Sequence, residues 1–208
     1  MDEAADKQRL RAAARKIRAD AQAADRDGLA ADQVAARFIA AFSRGSRLGP
    51  DSDHAGLRPD AVVAGYWPLG SELDVRPLMI RLVAAGAALV LPVVRAAGQP
   101  LEFRRWQPGD PLQPGEYGVM QPLSTAPVAI PALLLVPLLA FDKDGWRLGY
   151  GAGYYDRTLA ELRDRQGTEP PLAIGIAYAA QEMPALPHHA GDHKLDGVVT
   201  EQAARRFI

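Results

Sequence analysis

Short apolar runs alternate with helix-forming segments along most of the chain, and this alternation restricts the fold more than any other feature of the sequence. Segments typical of strands occur at residues 61–66, 88–94, 101–106, 133–139, 172–177 and 197–200, and all of them except the charged segment 101–106 are largely apolar. Helical spacing occurs between them at residues 73–85 and 152–166, and strand, helix and strand over residues 61–94 predict a βαβ unit. Nearly continuous apolar strands joined by helices indicate a parallel sheet covered on both faces. The pattern therefore predicts an α/β fold with a mostly parallel sheet.

The N-terminal part of the chain lacks this pattern and predicts two helices instead. Residues 6–24 are rich in Ala, Arg, Lys and Gln, and residues 30–43 carry an apolar stripe at helical spacing. Such a pair is too small to enclose a core of its own. We therefore expect a single α/β domain, residues 1–208, with the N-terminal helical pair (about 6–43) packed on it.

Two other segments are predicted to be irregular. Residues 43–60 are rich in Gly, Pro, Ser and Asp, which favours a loop. Residues 107–127 hold five prolines and three glycines, which predicts a long ordered loop or a lid.

The overall composition argues against several classes of function. The net charge is −1 at pH 7, whereas general nucleic-acid binding needs a basic excess to neutralise phosphates. The absence of cysteine excludes disulfides, cysteine nucleophiles and thiolate metal sites. No signal peptide is visible, and prolines interrupt the longest apolar stretch, residues 126–141, so no membrane span is expected. The sequence predicts a cytoplasmic protein.

The segment RLGYGAGYYDR, residues 147–157, is typical of a phosphate-binding loop. It follows an apolar strand and leads into a helix, and its alternate glycines allow backbone N–H groups to approach a ligand closely. Arg147 adds a bidentate donor, the helix N-terminus adds a positive dipole end, and Asp156 in the first turn is suited to hold Mg²⁺. The segment matches neither the Walker A nor the Rossmann glycine pattern. A glycine-rich turn that only connects strand and helix is the alternative.

The same segment, after the strand VPLLAFDKDG, closely resembles the signature of the 5-formyltetrahydrofolate cyclo-ligase (methenyltetrahydrofolate synthetase) family. KQRLR at residues 7–11 resembles the opening Lys-x-x-Leu-Arg of that family, and GYWPLGSELD at residues 65–74 resembles its Gly-Tyr-x-Pro segment. GDHKLDGVVTE at residues 191–201 is similar to its closing segment. Two positions depart from the family pattern: Ala152, where some members carry lysine, and Gly191, where histidine is usual.

This resemblance implies a three-layer α/β/α sandwich, similar to the sugar-isomerase and CoA-transferase group. It implies that 5-formyltetrahydrofolate is converted to 5,10-methenyltetrahydrofolate by phosphorylation of the formyl oxygen, with ATP as co-substrate and Mg²⁺ as cofactor. The implied catalytic residues are Arg147, Tyr154 and Asp156. The implied ATP contacts are Lys7, Arg11, Arg147, Leu148, Gly149, Tyr150, Gly151, Ala152, Gly153, Tyr154 and Tyr155. The implied folate contacts are Trp67, Glu72, Tyr150, Gly151, Ala152, Gly153 and Tyr154. The implied metal ligands are Asp156 and Asp192.

Considered without the resemblance, these residues also have structural interpretations. The alternatives are a solvated helix face for Lys7 and Arg11, a helix first turn capped by Ser71 for Glu72, ordinary packing for Trp67, and turns for Asp192 and Asp196. His188, His189 and His193 lie in a loop rich in Pro and Gly, so a surface or substrate-edge role is favoured over a metal site.

The expected partners are small molecules, ATP and a reduced folate, with no nucleic acid and no membrane, and the chain is expected to be a monomer. Two other functions fit the same residues. One is an ATP-using relative that acts on another amide or acid, and the other is a non-catalytic protein that binds a nucleotide or a folate.

Overall fold

The computed structural model describes residues 3–42, 60–165 and 169–207, so the loop predicted at residues 43–60 lies almost entirely outside the described residues. The helices are α1 (Glu3–Ala24), α2 (Leu29–Phe42), α3 (Arg76–Ala84) and α4 (Tyr154–Arg163). The strands are β1 (Val62–Ala64), β2 (Ala88–Val93), β3 (Glu102–Arg105), β4 (Leu112–Pro114), β5 (Met120–Pro122), β6 (Leu133–Pro137), β7 (Ala140–Asp142), β8 (Arg147–Leu148), β9 (Leu172–Ile176), β10 (Glu182–Met183), β11 (Gly197–Val199) and β12 (Ala204–Arg206). None of the described helices combines the length and the apolar character that crossing a bilayer requires.

Within the described residues, one seven-stranded sheet has the spatial order β12–β11–β9–β6–β1–β2–β3. Its five inner strands run parallel, and the edge strands β3 and β12 are antiparallel to their neighbours. Each segment predicted to be a strand contains one strand of this sheet, whereas β12 was not predicted. The mostly parallel sheet is confirmed, and so is the βαβ unit, because β1 and β2 pair in parallel on either side of α3.

Helices cover both faces of the sheet, and the side chains of β6 show how the layers meet. Leu133 and Leu135 pack with side chains of α2 and α3 on one face. Leu134 and Val136 pack with side chains of α4 on the other face. Since successive side chains of a strand point to opposite faces, a strand buried on both sides must be apolar throughout. The three-layer α/β/α arrangement is therefore confirmed.

Two helices begin later than their apolar spacing predicts. α3 begins at Arg76 because Asp74 Oδ1 accepts a hydrogen bond from the backbone N–H of Arg76 at 3.0 Å and holds a turn there. α4 begins after Gly153, whose φ of 69° lies outside the right-handed helical region. The late starts leave two non-helical segments, residues 65–75 and 149–153, and both contribute to the cavity described below.

A hairpin that the sequence did not predict connects β6 to the glycine-rich segment. β7 and β8 pair in antiparallel fashion, and β10 joins β7 in parallel. Asp142 is buried in the turn, where Oδ1 accepts the N–H groups of Asp144 and Trp146 at 3.0 Å each and Oδ2 accepts that of Leu186 at 3.0 Å. The hairpin thereby fixes the direction in which the chain enters the glycine-rich segment.

The segment predicted as a long loop or lid, residues 107–127, is more regular than its composition suggests. β4 and β5 form an antiparallel ribbon that is closed by a 3₁₀ turn at Glu116–Gly118. Strands of three residues are too short to show a clear alternation of polar and apolar positions. The irregular structure predicted for this segment was therefore wrong for the ribbon.

Candidate active site

A cavity of about 570 Å³ lies beyond the carboxyl ends of β1, β2 and β6. Trp67 follows β1, Val94 follows β2 and Pro137 ends β6, and all three line the cavity. The volume is typical of a small-molecule site, and open parallel sheets bind their ligands at this edge. Every residue that the resemblance assigns to ATP, folate or Mg²⁺ contributes to the wall of this cavity.

Two cations of α1 reach the cavity. Lys7 is only 8% exposed, and its Nζ donates to the ring of His189, with 2.6 Å to Nε2. The same Nζ lies 3.6 Å from Asp192 Oδ2. Arg11 Nε donates to the carbonyl oxygen of Gly149 at 3.2 Å. The alternative of a solvated helix face is therefore wrong for Lys7. Lys7 contacts the closing segment, and Arg11 contacts the glycine-rich segment.

The three glycines of the glycine-rich segment are not equivalent. Gly151 and Gly153 have φ of 106° and 69°, in the left-handed region that favours glycine. Gly149 lies outside that region, and a Cβ built on it would meet no heavy atom of the described residues within 4 Å. The backbone thus accounts for glycine at two of the positions. At Gly149, open cavity space lies where a side chain would begin.

Replacing Gly153 with alanine is expected to lower the free energy of unfolding by about 1–2 kcal/mol. The added Cβ would be strained at this φ and would lie 2.7 Å from Arg157 Nη1. Urea denaturation followed by circular dichroism measures the change. Ala152→Gly is the control, because Ala152 is not among the described residues with positive φ, and the expected loss is below about 1 kcal/mol. An unchanged unfolding midpoint for Gly153→Ala would contradict the conformational requirement at this position.

Arg147 and Asp156 form an ion pair at the start of α4. Arg147 Nη2 lies 2.5 Å from Asp156 Oδ1, and the Arg147 side chain is only 5% exposed. Arg147 Nη1 donates to the carbonyl oxygen of His193, whose own N–H donates to Asp156 Oδ1 at 3.1 Å. Burial lowers the pKa of Arg147, and the neighbouring Asp156 carboxylate opposes this shift. The pair therefore ties β8, α4 and the closing segment together at one wall of the cavity.

Glu72 lies in the turn before α3 and points into a polar cluster. It is only 7% exposed, Oε1 accepts a hydrogen bond from the Tyr150 hydroxyl, and Oε2 accepts the N–H of Leu69 at 2.8 Å. Burial raises the pKa of Glu72, and the hydrogen bond from Tyr150 opposes this shift. Since α3 begins only at Arg76, the alternative of a helix first turn is wrong for Glu72.

Trp67 forms part of the apolar wall of the cavity. Its ring packs edge-on against Trp106, with 5.9 Å between ring centroids, and the guanidinium of Arg76 lies 5.4 Å from its centroid. These contacts fix the indole plane. Trp67 therefore packs against its neighbours, as the structural interpretation predicted, and also lines the cavity.

Two tyrosines of the first turn of α4 have different surroundings. The Tyr154 hydroxyl lies 3.4 Å from both the Tyr117 hydroxyl and Glu116 Oε2 on the tip of the β4–β5 ribbon. Hydrogen bonding to Tyr117 raises the pKa of Tyr154 to about 12. Tyr155 packs against the core on the α4 face of the sheet, and burial raises its pKa. Tyr154 therefore connects α4 to the ribbon.

The carboxylates of the predicted metal site, Asp156 and Asp192, are each engaged through one oxygen in the contacts above, Oδ1 for Asp156 and Oδ2 for Asp192. Within residues 3–42, 60–165 and 169–207, no group of three or more His, Asp or Glu side chains is arranged to hold a metal ion. Mg²⁺ is usually bound by one or two carboxylates together with phosphate oxygens and water. This donor set therefore fits a Mg²⁺ ion that arrives with a nucleotide.

His188, His189 and Asp196 differ in their position relative to the cavity. His188 stacks on Trp146, with ring centroids 3.8 Å apart, whereas His189 lines the cavity beside Lys7. Asp196 Oδ2 accepts the N–H of Ala173 at 2.7 Å and pairs with Arg163, which is a structural role. Of these residues, His189 is the one that reaches the cavity.

The residues of this region that sequence reasoning missed include three with polar side chains whose contacts are described above or below. Glu116 and Tyr117 line the cavity from a segment whose composition predicted a long ordered loop or a lid, without a role for either residue. Arg18 contacts both Tyr150 and Glu72 from α1. Its spacing was the available signal, because Arg18 lies two helical turns after Arg11 and thus on the same face of α1.

The fold and cavity define an α/β protein that binds small molecules at the carboxyl edge of a parallel sheet. The model of the 5-formyltetrahydrofolate cyclo-ligase family matches residues 3–201. The chain belongs to this family.

Named relatives and solved structures agree with this assignment. The 5-formyltetrahydrofolate cyclo-ligase of Mycolicibacterium smegmatis is 42% identical over 135 residues, which cover 61% of this chain and 68% of the relative. That of Escherichia coli K12 is 35% identical over 144 residues, 66% of this chain and 76% of the relative. The NMR structure of Aquifex aeolicus 5,10-methenyltetrahydrofolate synthetase has a TM-score of 0.68 at 27% identity and covers 96% of this chain and 92% of its own.

Proposed function

We propose that the protein is an ATP-dependent 5-formyltetrahydrofolate cyclo-ligase that produces 5,10-methenyltetrahydrofolate. One observation carries the proposal: the cations Lys7, Arg11 and Arg147, the glycine-rich segment, Trp67 and Glu72 all line a single cavity. A nucleotide and a flat, amide-bearing substrate can thus meet in one site.

The reaction needs activation of a poor leaving group. The formyl oxygen attacks the γ-phosphorus of ATP, and the bond to ADP breaks. The second folate nitrogen then attacks the activated carbon, the carbon–oxygen bond breaks with release of phosphate, and that nitrogen loses its proton. Phosphoryl transfer of this kind depends on positioning and charge neutralisation more than on a protein nucleophile. Lys7, Arg11 and Arg147 supply the positive charge, and the backbone of residues 148–155 supplies N–H donors.

The folate side of the site relies on one carboxylate and one aromatic plane. An ionised carboxylate has about four acceptor positions, so Glu72 can accept hydrogen bonds from the amino-pyrimidine edge in addition to its present contacts. Trp67 offers a fixed indole for stacking on the pterin. Residues 150–154 lie between the two substrates. The Tyr154 hydroxyl contacts Glu116 on the β4–β5 ribbon, which borders the folate side of the site.

Asp156 and Asp192 would hold Mg²⁺ through the carboxylate oxygens that the contacts described above do not use. When bound, the ion supplies neutralisation of phosphate charge. Arg147 keeps Asp156 in place through their ion pair, and Lys7 does the same for Asp192.

We further propose the domain organisation, the oligomeric state and the cellular location of the protein. Residues 1–208 act as one domain, with the helical pair of about 6–43 packed on it, and the enzyme is a cytoplasmic monomer that does not bind nucleic acid or membranes. Size-exclusion chromatography with light scattering tests the monomer, whose mass is 22.3 kDa.

Purified protein mixed with 5-formyltetrahydrofolate, ATP and Mg²⁺ is expected to show a rise in near-ultraviolet absorbance from the methenyl product. ADP should form in a 1:1 ratio with that product, and omission of ATP should abolish both. ATP binding without an absorbance gain would overturn the cyclo-ligase proposal and favour a non-catalytic binding protein. ADP formation with another amide or acid, but not with this folate, would favour an ATP-using relative.

A further inference from the structure

Arg18 does not line the cavity, yet it contacts two residues that do. It lies on α1 and is only 5% exposed. Its Nη1 donates to the Tyr150 hydroxyl oxygen and lies 3.6 Å from Glu72 Oε1, and its Cζ lies 5.3 Å from the centroid of the Tyr150 ring. One buried guanidinium from the N-terminal helix thus joins two residues that are 78 positions apart.

The guanidinium itself is held in place by two further contacts. Its Nε donates to Ser71 Oγ at 3.1 Å, and Nη1 also approaches the carbonyl oxygen of Leu138 at 3.5 Å. These contacts anchor it to the turn before α3 and to the end of β6. A planar fork with several donors can serve all these acceptors, whereas a single ammonium group cannot do so with the same geometry.

The chemistry of the three groups fixes the direction of the hydrogen bonds. Arginine can only donate, so the Tyr150 oxygen accepts from Arg18 and the Tyr150 hydrogen is directed to Glu72. Glu72 Oε1 is therefore the acceptor of this hydrogen bond. This leaves its carboxylate suited to accept, rather than donate, toward a ligand.

We propose that Arg18 is a positioning residue for the reaction, which keeps Glu72 ionised and oriented and ties it through Tyr150 to the glycine-rich segment. This inference rests on the proposed function, in which Glu72 receives the donor edge of the folate. Through Tyr150, the folate-binding carboxylate and the nucleotide loop share one anchor on α1.

The charges around Glu72 support this role. Burial raises the pKa of Glu72, while Tyr150 and the Arg18 guanidinium oppose the shift. Tyr66, after β1, and Tyr155, on α4, also face this cluster, and burial raises the pKa of both, so neither adds charge near neutral pH. Without Arg18 the pKa of Glu72 would rise further. Because a protonated carboxyl group accepts less well, folate use would fail at a higher pH than in the wild type.

The test compares Arg18→Met and Arg18→Lys with Arg15→Met, an exposed position on the same helix. We expect Arg18→Met to raise the KM for 5-formyltetrahydrofolate about tenfold and the KM for ATP by less than about threefold, and to move the acidic limb of kcat/KM for the folate upward by about one pH unit. Arg18→Lys should restore the limb toward its wild-type position but not the folate KM. Arg15→Met should match the wild type.

A second comparison keeps the proposal testable if Arg18→Met does not fold. Arg18→Lys and Tyr150→Phe act on the same carboxylate, so their effects on the folate KM should be less than additive in the double variant. Additive effects, or an Arg18 variant with wild-type folate KM and an unshifted acidic limb, would overturn the role of Arg18. Lack of cyclisation by the wild type would instead overturn the proposed function, so the two failures are distinguishable.

Discussion

Replacing Arg147 with alanine is expected to lower kcat/KM for ATP about 10³-fold, or about 4 kcal/mol of transition-state stabilisation. The guanidinium lies in the cavity wall, paired with Asp156, and its charge and fork are suited to the phosphoryl group during transfer. Arg147→Lys should recover only part of the loss, since lysine restores the charge but not the bidentate geometry. Steady-state turnover with varied ATP measures both effects.

The Arg147 side chain is buried, so its replacement also affects folding. We expect Arg147→Ala to keep the fold, with a loss of about 1–2 kcal/mol in the free energy of unfolding. Lys143→Ala, in the turn of the same hairpin, is the control, because that side chain is exposed and lies outside the cavity. Wild-type turnover by folded Arg147→Ala would refute the role given to Arg147.

The second large effect is expected for Gly149→Ala, with kcat/KM for ATP about 10²-fold lower. The added methyl group would project into open cavity space beside the backbone that we propose binds phosphate, and it would push the nucleotide away from those N–H donors. The φ of Gly149 is not left-handed, so the free energy of unfolding should change by less than about 1 kcal/mol.

Gly149→Ala and Gly153→Ala form an informative pair. The first is expected to impair ATP use without a stability cost, and the second is expected to cost stability because of its φ of 69°. Kinetics with varied ATP and urea denaturation are needed for both variants. A wild-type KM and kcat for Gly149→Ala would show that no ligand approaches this position, and the phosphate-loop interpretation would then fail there.

Much of the central fold could be predicted from the sequence because its signals are local. Most strands of the main sheet could be predicted because their residues are continuously apolar. Residues 133–136 of β6 are buried on both faces, as that pattern requires. The position of the glycine-rich segment after β6 followed from chain order alone. Hairpin β7–β8 and ribbon β4–β5 escaped prediction, because strands of two or three residues depend on their pairing partners rather than on periodicity.

Only part of the candidate site could be predicted from local sequence signals. Lys7 and Arg11 could be placed together by helical spacing, but the burial of Lys7 against His189 depends on a contact across 182 positions. The local sequence around Glu72 was equally compatible with the first turn of a helix and with a ligand-binding role. Its position before α3, beside Tyr150 and Arg18, arises from long-range hydrogen bonds that no local pattern encodes.

The sequence by itself determined the α/β class, the strand–loop–helix at the glycine-rich segment and the family, since each depends on residue types within a short window. Only the tertiary structure decided which side chains share the cavity, which glycine is required by the backbone and which faces open space, and that Arg18 supports Glu72. The physical reason is that charge pairing and burial are set by distance in space, and the sheet brings segments from both ends of the chain to one edge.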